Sequence, residues 1–92
     1  MSNNILDHHL HRLLDSRVAP KTICPSEVAR ALSPSELNDL GVSEWRDLMP
    51  RIRNIIWSLR EDGKVEILQH GEVLSDLQSL DDIKGPIRAR KT

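Results

Sequence analysis

The spacing of apolar residues changes at Gly63, and this change constrains the fold more than any other feature of the chain. Before Gly63, apolar residues recur at intervals of three and four, which is the period of an amphipathic helix. In residues 64–69 they roughly alternate with polar residues, which is the period of a half-buried strand. The sequence therefore predicts an α+β domain with its helices first and a small antiparallel sheet last.

Three helices and three strands are predicted. The helices are expected at about residues 4–17, 25–32 and 44–61, and the strands at about 22–23, 64–69 and 86–90. Pro20 ends the first helix, Pro25 begins the second at a position where its missing N–H costs nothing, and Ser43 caps the third. Residues 75–84 are expected to form a loop or one weak helical turn.

Two proline positions refine this prediction. Ser33 to Glu36 forms a capping box, so a single helical turn is expected over residues 35–40. Pro50 lies inside the pattern of the third helix, where it removes a backbone donor. Two outcomes stay open: a kink near Pro50 in one helix, or a short helix at 44–48 followed by a separate one at 50–61.

The predicted order of elements is that of a winged helix-turn-helix domain. In that fold the third helix presents a face to the major groove of DNA, and a pair of strands projects as a wing toward the DNA backbone. With 92 residues, the chain is expected to form a single domain over residues 1–92. Winged helices also dock proteins, so the order of elements does not choose between the two functions.

Charge and aromatic content narrow the possible partners. The net charge is −1, whereas a dedicated polyanion binder is usually strongly basic. Phe and Tyr are absent, which argues against single-strand modules that stack bases on aromatic rings. The positive charge is concentrated in residues 85–92, with three basic and no acidic side chains, while residues 63–84 carry five acidic and two basic ones. Any contact with DNA must therefore come from a local patch.

Arginines in the third helix suggest such a patch. Arg46, Arg53 and Arg60 recur every seven residues and would line one flank of a continuous helix. Arg51 and Asn54 project further round, away from the apolar stripe. A guanidinium group matches both phosphate and the guanine edge with two hydrogen bonds. An ordinary solvated face with mixed Arg and Glu is the alternative interpretation.

The DNA hypothesis assigns roles to eight residues. It places Arg46, Arg51, Arg53 and Asn54 in the major groove, and Gln69, Arg88, Arg90 and Lys91 on phosphates from the wing. With so few basic residues a monomer would bind weakly, so a homodimer or a partner domain is expected if binding is tight. For the wing residues, the alternative is an edge strand protected by charge.

Two rival functions remain. The first is a protein-interaction module without nucleic-acid binding, docking through acidic residues 72–82 and an exposed Trp57. The second is a sensor that holds an anion or ligand among its arginines. Trp45 is expected in the core, and packing under the wing or at a dimer contact would also explain Trp57.

No enzyme, cofactor or metal site is predicted. His8, His9 and His11 are expected on a solvated helix face, because no third ligand of suitable spacing follows. Cys24 is expected to cap a helix rather than act as a nucleophile. Paired carboxylates and a Gly-rich phosphate loop are absent.

The N-terminal sequence is not typical of a signal peptide, and the apolar runs are too short for a membrane span. A lone cysteine forms no internal disulfide. A cytoplasmic protein without membrane contact is therefore expected.

Several blocks of the sequence carry a family resemblance. They are Thr22-Ile23-Cys24-Pro25-Ser26-Glu27-Val28-Ala29-Arg30, then Trp45-Arg46-x-Leu48-Met49 with Arg53, Gly63-x-Val65-x-Ile67-x-Gln69-x-Gly71, and Gly85-Pro86-Ile87-Arg88-x-Arg90. In them the chain resembles a family of small bacterial proteins catalogued as a domain of unknown function with a winged-helix fold.

The resemblance covers about residues 5–91 and implies the fold, without a ligand or a catalytic residue. One departure concerns a loop: the family's Asp-Pro after the Gln-x-Gly turn is replaced by Leu74-Ser75-Asp76. The polar residues of the matching blocks that have no evident role in a core are Arg30, Arg46, Arg53, Gln69, Arg88 and Arg90.

Overall fold

The computed structural model describes residues 4–17, 21–75, 83 and 85–92. Within these residues the chain is α+β, with four α-helices followed by a three-stranded antiparallel sheet. The helices are α1 (Asn4–Ser16), α2 (Pro25–Arg30), α3 (Pro34–Asp39) and α4 (Met49–Glu61), and a 3₁₀ turn (Trp45–Leu48) directly precedes α4. The strands are β1 (Val65–Gln69), β2 (Glu72–Val73) and β3 (Arg88–Lys91).

The two short helices α2 and α3 begin in the same way. Each starts with a proline, and the backbone N–H of the residue before that proline donates to the glutamate three residues further on. The Cys24 amide donates to Glu27 Oε2 over 2.7 Å, and the Ser33 amide donates to Glu36 Oε1 over 2.9 Å. Cys24 is therefore a helix cap, as predicted, and the capping box at Ser33 is confirmed.

Pro50 divides the pattern of the third predicted helix into a short turn and a separate helix, the second of the two outcomes expected from the sequence. The 3₁₀ turn ends at Leu48, and α4 begins at Met49. Pro50 therefore lies in the first turn of α4, where its missing N–H leaves no intrahelical bond unmade. The helix expected at about 44–61 is therefore a 3₁₀ turn over 45–48 followed by α4, rather than one kinked helix.

Other predicted bounds need smaller corrections. The second helix stops at Arg30 rather than at residue 32, because Ser33 precedes a proline and is extended. The turn predicted at 35–40 is α3, which makes four helices instead of three. The last strand begins at Arg88 rather than at 86, since Pro86 has no N–H to donate to a ladder. The strand expected at 22–23 is a single bridge at Ile23, and most of 75–84 lies outside the described residues.

The sheet has the order β2-β1-β3, and Ile23 extends it beyond β3. Ile23 and Ala89 exchange two backbone hydrogen bonds of 2.7 and 2.8 Å, and Ala89 also pairs with Ile67. These three side chains are fully buried and form the centre of the inner face. The turn from β1 to β2 passes through His70 and Gly71 with φ of 54° and 83°, as a two-residue hairpin requires.

The inner face of the sheet packs on the helices in one hydrophobic cluster. Leu6, Leu10 and Leu14 of α1, Val28 and Ala29 of α2, and Ile52, Ile56 and Leu59 of α4 all belong to this cluster. Trp45 is half-buried at its edge, so the prediction that it is a core residue holds only in part. The arrangement is compatible with a winged-helix layout. No helix among the described residues is long and apolar enough to cross a membrane.

His9 joins α1 to α3. It is 8% exposed, and its Nε2 lies 3.2 Å from both carboxylate oxygens of Glu36. The expectation that all three histidines lie on a solvated face is therefore wrong for His9, although His8 and His11 are exposed. The bond from the Ser33 amide, followed by the bond from His9, holds the pKa of Glu36 below its ordinary value of 4.5.

We expect Ile67→Ala to lower the free energy of unfolding by about 2–5 kcal/mol, because it leaves a cavity in the centre of the core. Val73→Ala is the matched control: Val73 lies in the same sheet but is 48% exposed, so its loss should be within about 1 kcal/mol. Urea denaturation followed by tryptophan fluorescence measures both. Equal losses would show that the inner face does not carry the stability of the sheet.

Because the pKa of Glu36 is lowered by folding, ionised Glu36 stabilises the native state above pH 4.5, and this stabilisation is lost as the pH falls through its lowered pKa. We expect Glu36→Gln to unfold at lower urea than the wild type at neutral pH, and the difference to shrink below pH 4.5. Asp39→Asn removes the same charge from α3 and should change stability at neutral pH by less than about 0.5 kcal/mol. A difference that does not vary with pH would contradict this role of Glu36.

Candidate nucleic-acid interface

The outward face of α4 carries a row of exposed polar side chains. Arg51, Asn54 and Ser58 are spaced by three and four residues and therefore share one face of the helix. With the half-buried Ile55 they line a shallow depression of about 200 Å³. Arg51 and Asn54 were predicted from the sequence but Ser58 was not, although its spacing of four residues from Asn54 is the signal that would have found it.

The position of Arg51 is set by the loop before α4. Its Nη1 donates to the carbonyl oxygen of Leu40 over 3.4 Å. A guanidinium group has five N–H donors, so this bond uses one of them and orients the group at the N-terminal end of α4. The first turn of α4 holds no acidic residue, and Glu61 at the other end is the only acid in the helix. The outward face is therefore positive at its start and carries no acidic side chain before Glu61.

The neighbouring flank of α4 is partly covered by other segments of the chain. Arg53 Nη1 donates to the carbonyl oxygen of Gly85 over 3.1 Å, and Arg60 donates to the carbonyl oxygen of Ser75. The Arg60 guanidinium also lies 4.8 Å from the centre of the Trp57 ring, and Trp57 is only 7% exposed. These residues hold the two ends of the connection between β2 and β3 against α4. The hypothesis that the chain docks a protein through an exposed Trp57 is therefore wrong.

Two of the basic residues of β3 are paired with acids of the chain itself. Arg90 Nε lies 3.0 Å from Glu66 Oε1 on the adjacent strand, and Lys91 Nζ lies 2.7 Å from Asp15 Oδ1 on α1. The bond from Lys91, and then its charge, lower the pKa of Asp15. The positive charge concentrated in residues 85–92 is thus partly neutralised within the fold.

Arg88 and Gln69, the other two wing candidates, bond to neutral groups. Arg88 Nε donates to the hydroxyl of Thr22, and its Nη2 donates to the carbonyl oxygen of the same residue over 3.4 Å. Gln69 Nε2 donates to the carbonyl oxygen of Pro86 over 3.4 Å. Both side chains brace β1 and β3 against adjacent segments.

The eight predicted residues are spread over several parts of the fold. Arg51 lies beside Leu40 at the start of α4, whereas Lys91 lines a cavity with Leu59 near the end of that helix. Residues 51 and 59 are about 12 Å apart along the helix axis. The structure therefore separates the outward face of α4 from the basic end of β3. Arg46 lies on the ring of Trp45, in the 3₁₀ turn just before α4.

The described residues contain no group of three or more His, Cys, Asp and Glu side chains that could hold a metal ion. No curated protein matches the chain. A protein family matches it over residues 3–92, and the chain therefore belongs to the family described as a protein of unknown function, DUF3253.

Proposed function

We propose that this chain is a winged-helix protein that binds double-stranded DNA, with α4 as the helix that enters the major groove. The observation that carries the proposal is the row of Arg51, Asn54 and Ser58 on the outward face of α4, which has no acidic side chain among them. The order of elements supports it, since α4 is followed directly by the sheet, as a recognition helix is followed by a wing.

The three side chains suit the edges of base pairs. Arginine donates two hydrogen bonds to guanine, asparagine pairs with adenine through two, and serine contacts either base. At about 1.5 Å of rise per residue, Arg51 and Ser58 are separated by about 10 Å along the axis, or about three base pairs of 3.4 Å each. The row therefore has the length of a short recognition site.

The surface chemistry favours this function over docking of a protein. Among the described residues, Val73 is the one large apolar side chain that is exposed. A docking surface normally has a contiguous apolar patch of several hundred Å². We propose that the protein binds DNA without catalysing a reaction. A homodimer or a partner domain would supply the affinity that one weakly charged domain lacks.

We expect the double variant Arg51→Ala/Asn54→Ala to bind a labelled mixed-sequence duplex at least about tenfold more weakly than the wild type, because it removes two contacts to base edges. Fluorescence anisotropy across a salt series measures the affinities. The matched control Asn38→Ala/Lys64→Ala removes one amide and one positive charge from exposed positions on α3 and after α4. It should change the affinity less than threefold.

Two results would overturn the proposal. One is the absence of any binding by the wild type at low salt, where attraction between the protein and the phosphates is strongest. The other is an equal loss of affinity in the two double variants, since this would mean that α4 has no special part in binding.

A further inference from the structure

A tryptophan with two arginines lies just before α4. Trp45 opens the 3₁₀ turn and is half-buried. The guanidinium carbon of Arg46 lies 5.1 Å from the centre of its ring, and that of Arg30, at the end of α2, lies 5.7 Å from the same centre. We refer to these three residues as the Trp45 cluster.

The two arginines of the Trp45 cluster keep their charge exposed. Both side chains are exposed, and neither forms an ion pair within the part of the chain that the structure describes. Glu44 precedes Trp45 and Asp47 follows Arg46, and both acidic side chains are exposed. No carboxylate oxygen of either residue comes within 4.0 Å of the guanidinium group of Arg30 or Arg46. In this the cluster differs from Arg90 and Lys91, which are paired with acids.

Contact with a ring restricts a guanidinium group without using its hydrogen-bond donors. The attraction acts between the charge of the group and the face of the ring, so it uses none of the N–H donors of the group. An arginine held in this way loses less side-chain entropy when it binds than one that moves freely in water. A tryptophan that carries two such groups therefore prepares them to bind an anion.

The spacing of the two groups suits successive phosphates. Since both guanidinium carbons lie over one ring, they are at most about 11 Å apart. This upper limit lets the two groups contact neighbouring phosphates of one DNA strand. Arg30 comes from α2 and Arg46 from the turn before α4, so the pair lies beside the start of the helix and not along its outward row.

We propose that Arg30 and Arg46, positioned by Trp45, bind phosphates of the DNA backbone at the edge of the groove that α4 enters. This inference rests on the proposed function and adds the residues that would bind the backbone to those that face the bases. Trp45 is a positioning residue here, because it acts through the two arginines and does not itself contact DNA.

The test compares Arg30→Gln and Arg46→Gln with Arg17→Gln in the full chain, using anisotropy with a labelled mixed-sequence duplex from about 50 to about 200 mM salt. Arg17→Gln is the matched control, since it removes the same charge from an arginine paired with Glu27 at 3.0 Å. Each cluster variant should bind about tenfold more weakly at fixed salt. The slope of log affinity against log salt should become shallower by about one unit, because one phosphate contact is lost.

Trp45→Leu tests the positioning role, because it leaves both charges in place. Its affinity should fall about as far as that of a single cluster variant, with thermal unfolding used to confirm that the variant is folded. If Trp45→Leu does not fold, Arg30→Gln and Arg46→Gln decide whether the two arginines bind phosphates. The loss of affinity in Arg30→Gln and Arg46→Gln should be the same for duplexes of different sequence, because phosphates carry no sequence information. The loss of affinity in Asn54→Ala should depend on the sequence of the duplex.

The outcomes separate the two proposals. Wild-type binding that depends on Arg51 and Asn54, together with salt slopes for Arg30→Gln and Arg46→Gln equal to that of Arg17→Gln, overturns the phosphate role and leaves the proposed function standing. No wild-type binding at low salt overturns both.

Discussion

The two backbone hydrogen bonds between Ile23 and Ala89 hold together parts of the chain that are far apart in sequence. Ala89 lies between Ile23 and Ile67, so β3 is paired on both sides, and the inner face of the sheet is continuous across all three residues. The apolar side of α4 packs on this face through Ile52 and Ile56. If β3 were not held there, the sheet against which α4 packs would be incomplete.

The arrangement of charge follows from this packing. Because β3 lies beside β1 and near α1, Arg90 meets Glu66 and Lys91 meets Asp15, and the most basic segment of the sequence is partly neutralised. Arginines earlier in the chain have a different environment. Arg51 bonds to a carbonyl oxygen, and the two arginines of the Trp45 cluster lie over a ring, so all three retain an uncompensated positive charge among the described residues. Arg53 and Arg88 also bond to carbonyl or hydroxyl oxygens and keep their charge, so the start of α4 is one of several positive regions among the described residues.

Much of the fold could be predicted from local sequence. The period of three and four located the helices, the change of period at Gly63 located β1, and Pro25 and the pair Ser33–Glu36 located two helix starts. These signals act over a few residues, so they do not depend on the rest of the chain. The interpretation of Pro50 stayed open because a proline is compatible with a kink and with a new first turn, and only the preceding 3₁₀ turn distinguishes them.

The sequence by itself determined the class of the fold, the caps of the short helices and the polar character of Arg51 and Asn54, because each depends on residues within one or two turns of one another. Only the tertiary structure decided which polar residues remain available. Arg53 and Arg60 share a helix with Arg51, yet they donate to the carbonyl oxygens of Gly85 and Ser75, at the two ends of the connection between β2 and β3. The helical period gives the angle between side chains around the helix axis. Contacts with segments that are distant in sequence decide which of those side chains face water.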